Sequence, residues 1–131
     1  MAKILIIEDD KKISMALTAR LKANGHEVGV AYDALCGVQL AVKTKPDLIL
    51  MDISMPAGGG FSAAERIQNL GATVGTPIIF LTASKEPSFR KRATELNAAA
   101  YFEKPYDAAE LLAAINQALP GKQANAASSQ S

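Results

Sequence analysis

Short apolar runs punctuate the chain at Ile4–Ile7, Val28–Tyr32, Leu48–Met51, Ile78–Leu81 and Ala98–Phe102. The runs at Ile4, Leu48 and Ile78 are continuous, without polar alternation, as in strands buried on both faces of a parallel sheet. Val28–Tyr32 alternates with small residues. The segments between carry helical spacing. Ile13, Leu17 and Leu21 repeat every four residues, Phe61, Ala64, Ile67 and Leu70 share one face, and Leu112, Ile115 and Leu119 form the stripe of the last helix. Further helices are predicted from Asp33 to about Lys43 and from Pro87 to about Leu96.

The punctuation agrees. Asn24-Gly25, Gly71 and Pro120-Gly121 are stops, Asp33 is a cap, and Asp107 followed by Glu110 reads as a capping box. Gly37 inside the second helix weakens it by about 1 kcal/mol relative to alanine. Ser54, Pro56 and the glycines Gly58, Gly59 and Gly60 after the central strand predict an open loop. Strand and helix alternate throughout, with no internal repeat, which predicts a three-layer α/β fold with a parallel sheet and right-handed crossovers.

Composition narrows the function classes. The 131 residues suit one domain with one core. Fourteen Lys and Arg against thirteen Asp and Glu leave no global field for nucleic acid or an anionic membrane surface. One cysteine, Cys36, excludes an intrachain disulfide and a cysteine metal cluster. No apolar run approaches the ~20 residues of a membrane span. These features predict a soluble cytoplasmic domain. Residues 1–121 form the predicted domain, and 122–131, rich in Ala, Ser, Asn and Gln, a flexible tail or the start of a linker.

The polar residues that end the strands carry the chemistry. Glu8 and Asp9 follow the first run, Asp52 the third, Thr82 the fourth, and Lys104-Pro105 the fifth. In a parallel sheet they gather at one edge, where open α/β folds bind ligands. Clustered carboxylates repel and raise one another's pKa. A hard divalent cation such as Mg²⁺ and a neighbouring ammonium offset that repulsion. An acid pair, a lone acid, a hydroxyl and a lysine suit the receipt of a phosphoryl group on a carboxylate.

KILIIEDD, PDLILMDISMP, FLTAS and YFEKP, in this order and spacing, resemble the receiver domain of two-component response regulators. The resemblance covers about Lys3 to Leu119 and is closest to the stand-alone, chemotaxis-type layout. It implies a flavodoxin-like (βα)5 fold with strand order 2-1-3-4-5. It implies Asp52 as phosphoacceptor, with Glu8 and Asp9 as the acidic pair and Asp9 the more direct Mg²⁺ ligand. The Ser54 main-chain carbonyl would complete the protein's metal ligands. Thr82 matches the switch hydroxyl, Tyr101 the aromatic that changes rotamer with it, and Lys104 the invariant-type lysine, whose bond to Pro105 is expected to be cis. The resemblance implies that Ser54 and Ser84, two residues beyond Asp52 and Thr82, hold positions that flank the phosphoryl group and tune how fast water removes it. Where the family often has Asp-Gly after the acceptor loop, this chain has Gly59-Gly60, which predicts a looser loop.

The implied function is a switch, not an enzyme in the usual sense. It is phosphorylated by a sensor histidine kinase or phosphotransfer protein and read by a downstream protein target. No nucleic acid or membrane is engaged directly, and phosphorylation-dependent homodimerisation stays open. Two alternatives differ in class. One is a phosphorylation-independent interaction module. The other is a phosphohydrolase with an aspartyl nucleophile, disfavoured because Ser54 stands where a second Asp is expected and no room remains for a cap domain. Residue by residue, Glu8 to Asp10 also read as a helix start, His26 as solvated, Cys36 as helix packing, and Arg90 to Arg92 as a solvated or partner-facing helix surface.

Overall fold

The structure is a computed structural model that describes residues 2–54 and 59–119. Within them, five strands alternate with five helices: β1 Lys3–Ile7, α1 Lys11–Ala23, β2 Glu27–Ala31, α2 Ala34–Thr44, β3 Leu48–Asp52, α3 Gly59–Asn69, β4 Ile78–Thr82, α4 Pro87–Glu95, β5 Ala100–Glu103 and α5 Ala108–Ala118. The strands form one parallel sheet in the order β2-β1-β3-β4-β5.

Alternation along the buried strands divides the core in two. Ile4, Ile6, Leu48, Leu50, Ile79 and Leu81 face one way, onto Leu17 and Leu21 of α1 and Leu111 and Ile115 of α5. Leu5, Ile7, Ile49, Met51, Ile78 and Phe80 face the other, onto Val38 and Ala41 of α2, Ala64 and Ile67 of α3 and Ala93 of α4. Period-two strands with helices on both faces are why the central runs are apolar throughout. Gly37 has a packing reason: a Cβ there would lie 2.6 Å from Ile7 Cδ1, so the glycine lets α2 sit close on β1.

Several boundaries differ from the sequence reading. β5 begins at Ala100, not Ala98, because Asn97 turns through φ 58° and Ala98 N–H still bonds to Ala93 O, closing α4. Only then does Ala99 N–H join the sheet, on Ile78 O. β2 lies one residue earlier than predicted, and Tyr32 projects outside it beneath the Lys11 ammonium. The buried stripe of α5 is Leu111, Ile115 and Leu119, with Leu112 half-buried beside it. α3 ends at Asn69, which leaves Leu70 exposed. Gly59 and Gly60 form the first turn of α3 and not a loop. Met55, Pro56 and Gly58, and the boundary at residue 121 with the tail beyond it, lie outside the described residues.

Candidate functional site

β3 delivers Asp52 to the carboxyl edge of the sheet, where it pairs in register with Leu81 of β4. On the other side, Ile7 of β1 pairs with Met51, so Glu8 emerges beside Asp52. Glu8 N–H continues the ladder onto Ala31 O at 3.0 Å. Glu8 and Asp52 are 1% and 3% exposed, while Asp9 is open to solvent. One carboxylate oxygen from each of Glu8, Asp9 and Asp52 lies within 4.8 Å of the others. The third acid of the run, Asp10, turns away from this group and caps α1, accepting from Lys12 N–H at 2.8 Å and Ile13 N–H at 3.0 Å. The helix-start reading therefore holds for Asp10 alone.

Lys104 arrives from the end of β5. Its N–H bonds to Thr82 O at 2.7 Å, and the following bond to Pro105 is cis. Its ammonium lies 3.0 Å from Glu8 Oε1 and 3.5 Å from Asp52 Oδ2. Burial, then the neighbouring Asp52 carboxyl, push Glu8 from 4.5 up to about 7, against the pull of Asp10 N–H and Lys104. Burial by itself would lower the Lys104 pKa; hydrogen bonds and charge from Glu8 and Asp52 outweigh it and hold the ammonium above its ordinary 10.5. One ammonium thus leaves the carboxylates under-compensated. Clustered hard oxygen donors with residual negative charge fit a small divalent cation such as Mg²⁺.

Thr82, fully buried, accepts from Ser84 N–H at 2.9 Å and lies 3.2 Å from Ser54 Oγ. Ser54 N–H donates to Asp52 Oδ1 at 2.8 Å. Tyr101 stands apart from the carboxylates. It pairs with Phe80, which puts it on the same sheet face as Thr82, one alternation back from the edge. Its ring packs on the core, its hydroxyl is buried without a hydrogen-bond partner among the described residues, and the Arg90 guanidinium lies 4.6 Å from the ring centre. Arg90 also pairs with Glu103 at 3.7 Å.

The structure thus brings Glu8, Asp9, Asp52 and Lys104 together, and links Ser54 to Thr82. Arg90 to Arg92 are exposed, as expected; Arg90 and Arg92 each also cap an aromatic ring, and Arg92 pairs with Glu65 of α3. Two lesser readings are corrected. Cys36 is exposed on α2 and packs no core. His26 is half-buried. Two contributors escaped the sequence reading. A Cβ on Gly60 would meet Ile53 Cα at 2.7 Å and Asp52 O at 2.9 Å, so the glycine lets α3 seat against the end of β3. Tyr106, two residues past Lys104, is half-buried, and burial, with smaller opposing effects of the Lys104 and Glu8 charges, pushes its hydroxyl above the ordinary tyrosine range. Its apolar neighbour at a ring distance of 6.1 Å, Phe102, was the available signal.

The family model of the response regulator receiver domain matches residues 4–116. Protein PilH of Pseudomonas aeruginosa is 37% identical over 121 residues, which is 92% of this chain and 100% of PilH. The transcriptional regulatory protein DltR of Streptococcus agalactiae is 37% identical over 86% of this chain, which spans only 50% of DltR. Among solved structures, the chemotaxis protein CheY4 of Vibrio cholerae superposes with a TM-score of 0.83 at 28% identity, covering 91% of this chain and 99% of that one. The receiver domain of the sensor histidine kinase PA1611 of Pseudomonas aeruginosa, with a magnesium ion coordinated in its active site cleft, gives a TM-score of 0.80 at 31% identity over 92% and 98% of the two chains. With the match running from the first strand into the last helix, the chain belongs to the response regulator receiver domain family.

Proposed function

We propose that Asp52 accepts a phosphoryl group from the phosphohistidine of a sensor kinase or phosphotransfer protein, in a pocket where Glu8, Asp9, Asp52 and the Ser54 main-chain carbonyl hold Mg²⁺. Receiver domains are the phosphoacceptor switches of two-component signalling and not enzymes of the ordinary kind. The observation that carries this reading is the convergence of Glu8, Asp9 and Asp52 within 4.8 Å, with Lys104 bonded to two of them. The magnesium ion in the PA1611 receiver domain supports the same assignment for the metal.

In the transfer, an Asp52 carboxylate oxygen attacks phosphorus and the bond from phosphorus to the donor imidazole breaks. The electron pair goes to the imidazole nitrogen, which takes a proton. When bound, the cation would neutralise charge on the carboxylates and the incoming phosphoryl oxygens. The Ser54 N–H bond to Asp52 Oδ1 orients the carboxylate, and Lys104, midway between Glu8 and Asp52, is placed to follow the new charge. Thr82 then turns its hydroxyl to the phosphoryl group, and Tyr101 moves with it. The α4–β5 surface, held by the contacts of Arg90 to Tyr101 and Glu103, shifts toward the form that a partner reads. That is a shift between existing populations. Water attack on phosphorus later restores Asp52 and releases inorganic phosphate.

The test is incubation with acetyl phosphate and Mg²⁺ followed by intact-protein mass measurement. The wild-type chain gains the mass of one phosphoryl group, and Asp52→Asn gains none. An adduct that persists in Asp52→Asn overturns the assignment.

A further inference from the structure

Ser54 carries a hydroxyl that the carboxylate cluster does not account for. Its backbone N–H binds Asp52 Oδ1 at 2.8 Å, so its turn is tied to the acceptor carboxylate. Its Oγ reaches across to the end of β4, where it accepts from Ala83 N–H at 2.8 Å and lies 3.2 Å from Thr82 Oγ1. Thr82 Oγ1 is anchored a second time by Ser84 N–H at 2.9 Å. The polar groups at the β4 terminus therefore converge on one serine oxygen, which uses two of its three hydrogen-bonding capacities there.

We propose that the Ser54 hydroxyl is a positioning residue that latches Thr82 and the Ala83 amide in the unmodified state and sets the threshold for switching. This rests on the reading of Asp52 as phosphoacceptor and of Thr82 as the hydroxyl that follows the phosphoryl group. A phosphoryl oxygen carries charge and is a stronger acceptor than a serine oxygen, so it wins the competition for these groups. Each bond it takes is one that Ser54 loses. The latch therefore opposes the modified state by about one ordinary hydrogen bond. Removing the hydroxyl weakens the resting arrangement more than the modified one.

Beryllofluoride, a phosphoryl mimic, tests this directly. It is titrated into the full chain at saturating Mg²⁺, with affinity read by fluorine NMR. Ser54→Ala is expected to bind it about fivefold to tenfold more tightly than wild type, the equivalent of one net hydrogen bond. Ser54→Thr, which keeps the hydroxyl, is expected to stay within about twofold of wild type. In a Thr82→Ala background the gain from Ser54→Ala should shrink, because half of what the latch holds is gone. A Ser54→Ala protein that binds equally or more weakly overturns the latch, as does a gain undiminished by Thr82→Ala. If wild type does not bind, or Asp52→Asn binds as well, the phosphoacceptor reading falls and the latch with it. Binding by wild type without the gain removes the latch alone.

Discussion

Replacing Glu8 with Gln removes the carboxyl that the fold most disfavours in its charged form. In the unfolded chain this group titrates near 4.5, while in the folded chain burial and Asp52 move it to about 7. The folded state therefore binds the Glu8 proton more tightly. The contribution of Glu8 to stability is full below 4.5, falls as pH rises, and is lost above about 7. The gap corresponds to about 3 kcal/mol. Glu8 is 1% exposed, so solvent screening takes little from that figure. Lys104 faces the same pocket with its pKa raised above 10.5, so its contribution is constant through this window and lost only at higher pH. Asp9, Asp10, Asp52 and Tyr106 remain in Glu8→Gln, and the difference between the two proteins reports Glu8 together with its interactions with Asp52 and Lys104. Urea unfolding in EDTA from about pH 5 to about pH 8.5 provides the measurement. The stability of wild type relative to Glu8→Gln should fall by about 2–3 kcal/mol toward the basic end. With Mg²⁺ in place of EDTA the fall should flatten, because a cation bound to the folded carboxylates competes with the proton. A difference that is flat in EDTA, or that favours wild type increasingly as pH rises, refutes the reasoning.

Other consequences are open to the same instruments. Gly60→Ala forces a methyl group against Ile53 Cα and the Asp52 carbonyl, and urea unfolding should show a loss of about 1–3 kcal/mol, while no loss would mean α3 is not seated as described. Tyr101→Phe deletes a buried hydroxyl that has no hydrogen-bond partner among the described residues, so thermal unfolding should find the variant as stable as wild type or more so; a loss above about 1 kcal/mol would reveal a further partner. The Arg92–Glu65 pair is half-exposed, and a double-mutant cycle should give a coupling of less than about 1 kcal/mol, weakening with salt. Lys104→Met leaves Glu8 and Asp52 without their ammonium, so the apo protein should lose stability above about pH 7 and recover part of it on adding Mg²⁺, as differential scanning fluorimetry reads.

Much of this was legible because strand burial and strand direction are written in the pattern. Leu48–Met51 lacks polar alternation, and only a sheet covered on both faces accommodates that. Once the strands are parallel, Glu8, Asp52, Thr82 and Lys104 must share one edge. What remained hidden depends on which group wins a local competition. Asp10 is chemically the equal of Asp9 but takes the two free N–H groups at the start of α1. Leu111 and Leu112 are equivalent in any hydrophobic count, and only the rotation of α5 on the sheet decides between them. Gly60 looked like slack in a loop, yet its lack of a side chain serves close contact between α3 and β3. The Arg90 contact with Tyr101 joins two residues eleven apart in the chain, on a helix and the strand that follows it, a geometry that neither helical nor strand periodicity encodes.

The proposed switch requires that one aspartate receive the phosphoryl group in a metal-dependent pocket. Borohydride reduction of the phosphorylated chain, followed by peptide sequencing, locates an acyl phosphate directly because it converts the modified aspartate to homoserine. Homoserine is expected at position 52 alone after acetyl phosphate treatment with Mg²⁺, and nowhere when EDTA replaces the metal. Homoserine at another position, or equal conversion of Asp52 in EDTA, would contradict it.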